Sequence, residues 1–177
     1  MQLEDKLKQC IRDVKDYPKP GIIFKDITPV LAEPALMKEV VYDLVERFKD
    51  ERIDAVAAIE ARGFILGAIL AMELNCAFVP IRKAGKLPYR TLSQEYALEY
   101  GSATVEMHED AVKQGWRVMI HDDLLATGGT AEAAGTLINN LGADVAGFSF
   151  LIELTFLPGK DTLKNKFGVN PYSLVRY

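Results

Sequence analysis

The sequence predicts an α/β fold in which helices flank a mainly parallel, twisted sheet. Short buried apolar runs of strand length alternate with stretches of helical length, and polar or glycine-containing loops follow the runs. Strands that alternate with helices form parallel sheets with right-handed crossovers. The 177 residues, 49% of them hydrophobic and 26% charged, fit one globular domain with a sizeable core.

Two helices, separated by a turn and an extended piece, are predicted for the first third of the chain. The first is amphipathic, because its apolar residues recur on one helical face at Leu3, Leu7, Cys10, Ile11 and Val14. It should end before the proline-containing turn at 17–21, which leads into an extended piece at 22–24. Pro34 begins the second helix, because proline suits the first helical position.

A β-α-β pattern begins at residue 53. A buried strand is predicted at 55–59, a loop at 60–63, an apolar helix at 64–74 and a second strand at 77–81. The loop places Arg62 between a strand and a helix N-terminus. Because a guanidinium binds phosphate oxygens through a planar fork, this position favours anion recognition. The alternative is a surface arginine paired with Glu60.

The middle of the chain is less regular. Residues 82–87 form a basic loop, and residues 88–97 are polar and lack a core pattern. They predict a long irregular excursion, which in a compact domain usually serves as a functional lid. A strand is predicted after it, at 98–105.

The last predicted β-α-β unit has a strand at Val118, a helix from about Thr130 to Leu141 with Gly142 after its end, and a strand at 145–151. Ligands bind such sheets beyond the C-terminal ends of the strands. Three chemically unusual loops follow strands at that edge, and we expect them to share one site: 60–63, 82–87 and 122–130.

The loop before the last helix is suited to a ribose 5-phosphate. Its small residues offer backbone N–H groups and two hydroxyls at a helix N-terminus, where the dipole favours anions: Ala126, Thr127, Gly128, Gly129 and Thr130. Asp122 and Asp123 would repel a bare phosphate, but they would accept hydrogen bonds from sugar hydroxyls. The alternative is an ordinary turn with Thr130 as the N-cap. A P-loop lysine motif is absent, which argues against an NTPase.

Composition argues against several other classes of function. A net charge of −4 provides no general nucleic-acid surface, and no apolar run reaches membrane-spanning length. The acidic N-terminus differs from a signal peptide. Cys10 and Cys76 form no metal or redox spacing, and the chain has only two histidines. We therefore expect a cytoplasmic protein that binds neither nucleic acid nor membrane.

The stretch from Val118 to Thr130 resembles the phosphoribosyl-diphosphate (PRPP) motif of the type I phosphoribosyltransferase family, in the form found in its adenine-specific branch. His121 departs from the apolar residue usual there, and we interpret it as structural. The resemblance covers essentially the whole chain and is most specific at 20–31, 60–64, 82–88 and 118–130.

This resemblance implies the type I phosphoribosyltransferase fold as a single domain over residues 1–177. A small N-terminal hood that binds the base would occupy about 1–33, and a lid loop about 88–104. The activity implied is the homodimeric conversion of adenine and PRPP into AMP and pyrophosphate in purine salvage. Two alternatives remain: a transferase for 6-oxopurines or xanthine, and a non-catalytic PRPP-sensing regulator.

The resemblance also assigns roles on the PRPP side of the site. Asp122 and Asp123 would hold the ribose hydroxyls, and residues 126–130 would hold the 5-phosphate. Pyrophosphate would be bound by two loops, the first with a cis peptide at Glu60–Ala61 and the second acting partly across the dimer interface: Glu60, Ala61, Arg62, Arg82, Lys83 and Lys86. Mg²⁺ would be held by PRPP and water near the aspartates, with no direct protein ligand.

On the base side, the resemblance implies an adenine site at Ile23, Phe24, Lys25 and Leu124. Phe24 would stack on the purine while main-chain groups of Ile23 and Lys25 read its edge. Glu99 in the lid would interact with purine N7, and it is the predicted catalytic residue together with Arg62. The alternatives are that Phe24 is an ordinary core aromatic and that Glu99 is a solvated carboxylate.

Overall fold

The computed structural model describes residues 1–98 and 101–177 and divides into two compact units, Met1–Asp43 and Leu44–Tyr177. The first unit contains a short helix, an antiparallel hairpin and a second short helix, followed by the start of a long helix. Their bounds are α1 Leu3–Cys10, β1 Arg12–Lys15, β2 Ile23–Asp26, α2 Thr28–Leu31 and α3 Pro34–Phe48. The extended piece and the helix that begins at Pro34 are confirmed. Glu99 lies outside the described residues.

The predicted first helix is wrong beyond Cys10. The backbone of Ile11 is extended, with φ −64° and ψ 128°, and Val14 lies on β1 opposite Phe24 of β2. The apolar spacing fits a helix followed by a strand as well as it fits one longer helix. Pairing with β2 decides between them, since it satisfies the backbone N–H and C=O groups of residues 12–15.

The second unit is an α/β sandwich around one mixed sheet. Its elements are β3 Ala55–Ile59, α4 Gly63–Glu73, β4 Ala77–Lys83, β5 Thr91–Ala97, β6 Ser102–His108, β7 Arg117–Leu125, α5 Gly129–Asn140, β8 Asp144–Glu153, α6 Gly159–Phe167 and β9 Tyr172–Arg176. Among the described residues the strand order is β5-β6-β4-β3-β7-β8-β9. The five strands from β4 to β9 in that order are parallel, while β5 and β6 are antiparallel. The predicted class is confirmed.

The central elements match the sequence prediction closely. The strand at 55–59 has the predicted bounds, and all five of its residues are buried. Helix α4 begins one residue earlier than expected, and so does α5, which is followed by Gly142 with a φ of 79°. Buried side chains of the central strands and of α5 form one core that includes Ile120, Phe148 and Leu137. This core fixes the C-terminal ends of β3, β4 and β7 beside one another.

The irregular excursion predicted at 88–97 is wrong. Residues 91–97 form β5, which pairs with β6 from Thr91 opposite His108 to Ala97 opposite Ser102. The strand predicted at 98–105 therefore begins only at Ser102. Leu92 and Tyr96 of β5 pack against the core, while Ser93 and Glu95 are exposed. Two core-facing side chains in seven residues are too few for the alternation of a strand to be identified from the sequence.

Two further boundaries differ from the prediction. Strand β4 continues through Arg82 and Lys83, so the basic loop begins later than expected. Strand β7 continues through Leu125, so Asp122 and Asp123 lie on the strand and not in the loop. In both cases pairing with neighbouring strands extends the ladder past the apolar run. Three further elements, α2, α6 and β9, were not predicted. In the described parts of the chain, no helix has the length and apolar character that a membrane crossing requires.

Candidate active site

The end of β7 and the following loop surround a small cavity at the N-terminus of α5. Its volume is about 80 Å³, several times the space that one water needs. It is lined by Asp122, Leu124, Leu125, Ala126, Thr127, Gly128, Gly129, Thr130, Ala131 and Phe150. No side chain caps the helix, and the N-cap is Gly128. The alternative with Thr130 as N-cap is therefore wrong, and the first-turn N–H groups face a site that suits an anion.

Two glycines from different loops shape this cradle. Gly128 has a φ of +88°, a region that side chains other than glycine rarely adopt, and a Cβ there would lie 3.1 Å from the Cα and O of Gly159. The N–H of Gly159 donates to the carbonyl oxygen of Ala126 over 3.1 Å. A Cβ at Gly159 would overlap that same oxygen. Sequence reasoning missed Gly159, although the Pro-Gly pair before a helix is a signal of a turn.

Asp122 and Asp123 are adjacent residues of β7, and their carboxyl groups lie close enough to interact directly. Asp122 lines the cavity, and Asp123 is only 4% exposed. The Oδ2 of Asp123 lies 2.8 Å from the Nε of Arg62. Burial and the adjacent carboxylate raise the pKa of Asp122 well above its ordinary value. Burial also raises the pKa of Asp123, although the positive charge of Arg62 partly offsets this.

Arg62 connects the first predicted loop to β7. The peptide bond between Glu60 and Ala61 is cis, as expected, and Arg62 is the residue before α4. Its ion pair is with Asp123, so the interpretation of a surface arginine paired with Glu60 is wrong. Gly63 allows the close approach, since a Cβ there would lie 2.9 Å from the backbone oxygen of His121. The loop at 60–63 and the end of β7 therefore meet, as the topology predicted.

Glu60 joins the first loop to the basic loop. Its carboxylate accepts hydrogen bonds from the Nε of Arg82 and, over 3.0 Å, from the backbone N–H of Lys83. Arg82 in turn donates from Nη1 to the carbonyl oxygen of Lys86 over 3.0 Å. Burial would raise the pKa of Glu60, but the bonds from Arg82 and Lys83 outweigh it and lower the pKa. Glu60 thus links the loop at 60–63 to the basic loop, as Arg62 links it to the end of β7.

His121 occupies the interior and not the site. It is fully buried on β7, and its Nδ1 lies 2.8 Å from the Oγ of Ser149 on β8. Burial lowers the pKa of His121 to about 4. The ring is therefore neutral at physiological pH, which supports the interpretation of His121 as structural.

The predicted base-contacting residues fall in both units. On β2, Ile23 is 51% exposed, and Phe24 is half-buried with its ring edge-on to Tyr17 at 5.2 Å between centroids. Phe24 is thus not a fully buried core aromatic. The Nζ of Lys25 donates to Asp13 over 2.7 Å, which leaves its main chain as the predicted contact. In the second unit, Leu124 lines the cavity beside Asp122.

Comparison with known proteins identifies relatives of this arrangement. A family model described as the phosphoribosyl transferase domain matches residues 26–166. The adenine phosphoribosyltransferase of Cytophaga hutchinsonii is 55% identical over 175 residues, which are 99% of this chain and 96% of that protein.

Solved structures give the same result. The crystal structure of adenine phosphoribosyltransferase from Rhodothermus marinus has a TM-score of 0.93 and 51% identity, over 99% of this chain and 98% of that one. The enzyme from Saccharomyces cerevisiae, complexed with adenine and an imino-altritol bisphosphate, has a TM-score of 0.88 and 36% identity, over 97% and 98% of the two chains.

Proposed function

The chain belongs to the adenine phosphoribosyltransferases of the phosphoribosyltransferase family, and from this we infer that it transfers the 5-phosphoribosyl group of PRPP to adenine. The products are AMP and pyrophosphate, and the pathway is purine salvage. The observation that carries this inference is the joining of an anion cradle, a buried aspartate pair and Arg62 at one sheet edge. Each of them matches one part of PRPP.

The 5-phosphate is the part that fits the cavity at the start of α5. Backbone N–H groups of 128–130 and the hydroxyls of Thr127 and Thr130 would bind its oxygens, aided by the helix dipole. Asp122 and Asp123 would accept hydrogen bonds from the two ribose hydroxyls. Their raised pKa values in the free protein support this role, because hydrogen-bond donors supplied by a ligand would stabilise the charged form of a buried carboxylate.

The leaving group requires positive charge, since the bond between ribose C1 and pyrophosphate breaks as the ribose becomes oxocarbenium-like. Arg62, Arg82, Lys83 and Lys86 would bind the pyrophosphate oxygens and stabilise the developing charge. Within this group, Glu60 acts through Arg82 and Lys83, because its carboxylate already accepts their hydrogen bonds.

We propose that magnesium enters this site as an ion bound to PRPP. Among the described side chains, no cluster of three or more His, Cys, Asp or Glu residues could hold a metal. Asp122 and Asp123 are suited to accept hydrogen bonds from its water ligands. When bound, Mg²⁺ would neutralise part of the pyrophosphate charge.

Adenine recognition is assigned to the residues that the sequence singled out. Phe24 would stack on the purine, the main chain of Ile23 and Lys25 would read its edge, and Leu124 is the fourth proposed contact. Glu99 is proposed to interact with N7 while N9 attacks ribose C1, and the lid would exclude water during this step.

A turnover assay tests the proposed activity directly. With PRPP and magnesium, we expect adenine to react at least about tenfold faster than hypoxanthine, guanine or xanthine, because fixed main-chain donors and acceptors cannot exchange roles. Comparable rates with a 6-oxopurine would favour the rival transferase. Binding of PRPP without turnover of any base would favour a PRPP-sensing regulator.

Arg62→Ala should lower kcat/KM for PRPP at least about tenfold, the effect of losing one charged hydrogen bond. The pyrophosphorolysis of AMP should fall by a similar factor, because the side chain serves pyrophosphate in both directions. Steady-state kinetics in the two directions provide the measurement. A variant in which only the KM for adenine changes would contradict this role.

We also propose a homodimer in which the outer face of α4 contacts a second copy. This helix is apolar on all sides, yet Ile65, Ala68 and Met72 form an exposed stripe on one face. Met72 is 81% exposed, and the neighbouring Phe78 of β4 is 38% exposed. A stripe of this kind, continuous with the pyrophosphate loop before α4, is suited to a self-complementary interface.

The variant Ile65→Lys/Met72→Lys should sediment as a monomer, because two buried charges oppose the contact. Sedimentation velocity of the variant and the wild-type protein at equal concentration is the measurement. A wild-type monomer, or a variant that remains dimeric, would show that α4 is not the interface.

We place the protein in the cytoplasm. Both of its cysteines, Cys10 and Cys76, are free thiols, as is usual in a reducing compartment.

A further inference from the structure

Glu106 is a nearly buried carboxylate to which the sequence assigned no role. It lies on β6, between β4 and β5, opposite Arg82 on one side and Ser93 on the other. Only 5% of the residue is exposed. A buried carboxylate requires several hydrogen-bond donors to remain charged.

These donors come almost entirely from the basic loop. The Oε1 of Glu106 accepts hydrogen bonds from the backbone N–H groups of Lys86 and Leu87, each over 3.1 Å. The Oγ1 of Thr91, the first residue of β5, lies 3.4 Å from Oε2. Burial would raise the pKa of Glu106, but backbone bonds from Leu87, Gly85 and Lys86 outweigh it and lower the pKa. The charged form of Glu106 is thus stabilised mainly by the backbone of one loop.

We propose that Glu106 is a positioning residue for the part of the site that binds the leaving group. Its carboxylate holds the backbone of residues 85–87 in place so that Lys83 and Lys86 can bind pyrophosphate. The proposal rests on the proposed function, because it assumes that this loop binds pyrophosphate. Glu106 itself contacts no substrate. It acts through the main chain of the loop, while Glu60 acts on the same loop through Arg82 and the Lys83 N–H.

The charge balance explains why the loop needs such a residue. Arg82, Lys83 and Lys86 repel one another when pyrophosphate is absent, and Gly85 has a φ of +82° with open space around it. A loop of this composition would sample many conformations. Two carboxylates beneath it offset the repulsion and order the backbone before the substrate binds, so less entropy is lost on binding.

The test compares three variants of the 177-residue chain. Glu106→Leu removes the acceptor and leaves two backbone N–H groups unpaired. Glu106→Gln keeps one acceptor oxygen for those N–H groups but removes the charge. Met107→Ala is the destabilising control, because Met107 is fully buried in the core on the opposite face of β6.

We expect Glu106→Leu to raise the KM for PRPP and the Kd of pyrophosphate at least about tenfold, with the KM for adenine nearly unchanged. Amide exchange at residues 85–87 should become faster in the same variant. Glu106→Gln should show a smaller but measurable loss of pyrophosphate affinity and a smaller rise in amide exchange at 85–87, because it keeps one acceptor oxygen for the N–H groups but loses the charge. Met107→Ala should lower the melting temperature without changing the ratio of the two KM values.

Wild-type pyrophosphate affinity in Glu106→Leu would overturn the proposal, and so would equal shifts of both KM values in Glu106→Leu and Met107→Ala. Should Glu106→Leu fail to fold, Glu106→Gln decides: faster exchange at 85–87 with weaker pyrophosphate binding supports the role, and unchanged values for both refute it. A wild-type protein that neither binds pyrophosphate nor uses PRPP refutes the proposed function. Amide exchange then still decides whether the carboxylate orders the loop.

Discussion

Replacing both Asp122 and Asp123 with asparagine should lower kcat/KM for PRPP at least about a hundredfold, because each residue would lose a charged hydrogen bond worth roughly 1.5–3 kcal/mol. The loss of affinity should be confined to PRPP and AMP, which contain ribose, since neither carboxylate is predicted to contact adenine itself. Asp144→Asn is a matched control, because Asp144 is an exposed residue at the start of β8, at the opposite edge of the sheet. Unchanged use of PRPP by the double variant would remove the assignment of the ribose site.

The same substitution should not destabilise the free protein, and at Asp122 it should stabilise it. The pKa of this carboxyl is raised above its ordinary value by burial and by Asp123. A carboxyl whose pKa is higher in the folded state destabilises the fold most strongly above the folded pKa. This penalty shrinks as the pH falls below the folded pKa and is absent below the unfolded pKa. Asp122→Asn should therefore melt at a higher temperature than the wild type at pH 7.5, and the difference should narrow as the pH is lowered. Calorimetry of both proteins from pH 7.5 downwards is the measurement. A difference in melting temperature that widens as the pH falls would show that the raised pKa of Asp122 is not the cause.

Together, these results would show that the Asp122–Asp123 pair lowers the stability of the free protein but is needed for binding PRPP. In the free protein, Asp122 and Asp123 lie next to each other, and the Nε of Arg62 lies 2.8 Å from Asp123. Two ribose hydroxyls, added by PRPP, would supply the missing donors. Buried charged groups that lack hydrogen-bond donors are typical of binding sites, because the ligand, and not the fold, supplies the donors.

Sequence alone predicted the elements whose apolar pattern is continuous. The run from Ala55 to Ile59 forms a central strand because parallel strands are buried on both faces, which leaves no polar alternation to confuse the interpretation. The same pattern predicts that loops after β3, β4 and β7 meet at one edge. The Arg62–Asp123 ion pair and the contact between Glu60 and the basic loop confirm that they do.

Other features depend on partners far away in the chain, and no local pattern contains them. The polar residues of β5 form a strand only because β6 offers a complete ladder. Glu106 resembles any surface glutamate until the fold brings the N–H groups of Lys86 and Leu87 to it. Gly159 similarly acquires its importance from the Ala126 oxygen that it contacts. Such residues support the site through the main chain, so the type of residue alone does not identify them.

The second large effect is expected at Gly128, where an alanine should lower kcat/KM for PRPP at least about a hundredfold, the size of effect that follows from displacing a site by about 1 Å. The residue has a φ of +88°, which costs about 1–2 kcal/mol for an L side chain. A Cβ would also lie 3.1 Å from the Cα and O of Gly159, so the backbone on one side must move. Either movement shifts the N–H groups that are proposed to bind the 5-phosphate.

Gly115→Ala separates this displacement from backbone strain. Gly115 has a φ of +77°, a Cβ added to it would meet no atom within 4 Å, and it precedes β7 at the edge of the sheet away from the site. Both alanine variants should therefore lose a similar amount of stability from the left-handed backbone, about 1–2 kcal/mol. Only Gly128→Ala should lose PRPP binding, measured by calorimetry alongside the kinetics. If Gly128→Ala binds PRPP normally, or if Gly115→Ala loses the same affinity, then the loop before α5 is not the phosphate cradle and the 5-phosphate must bind elsewhere.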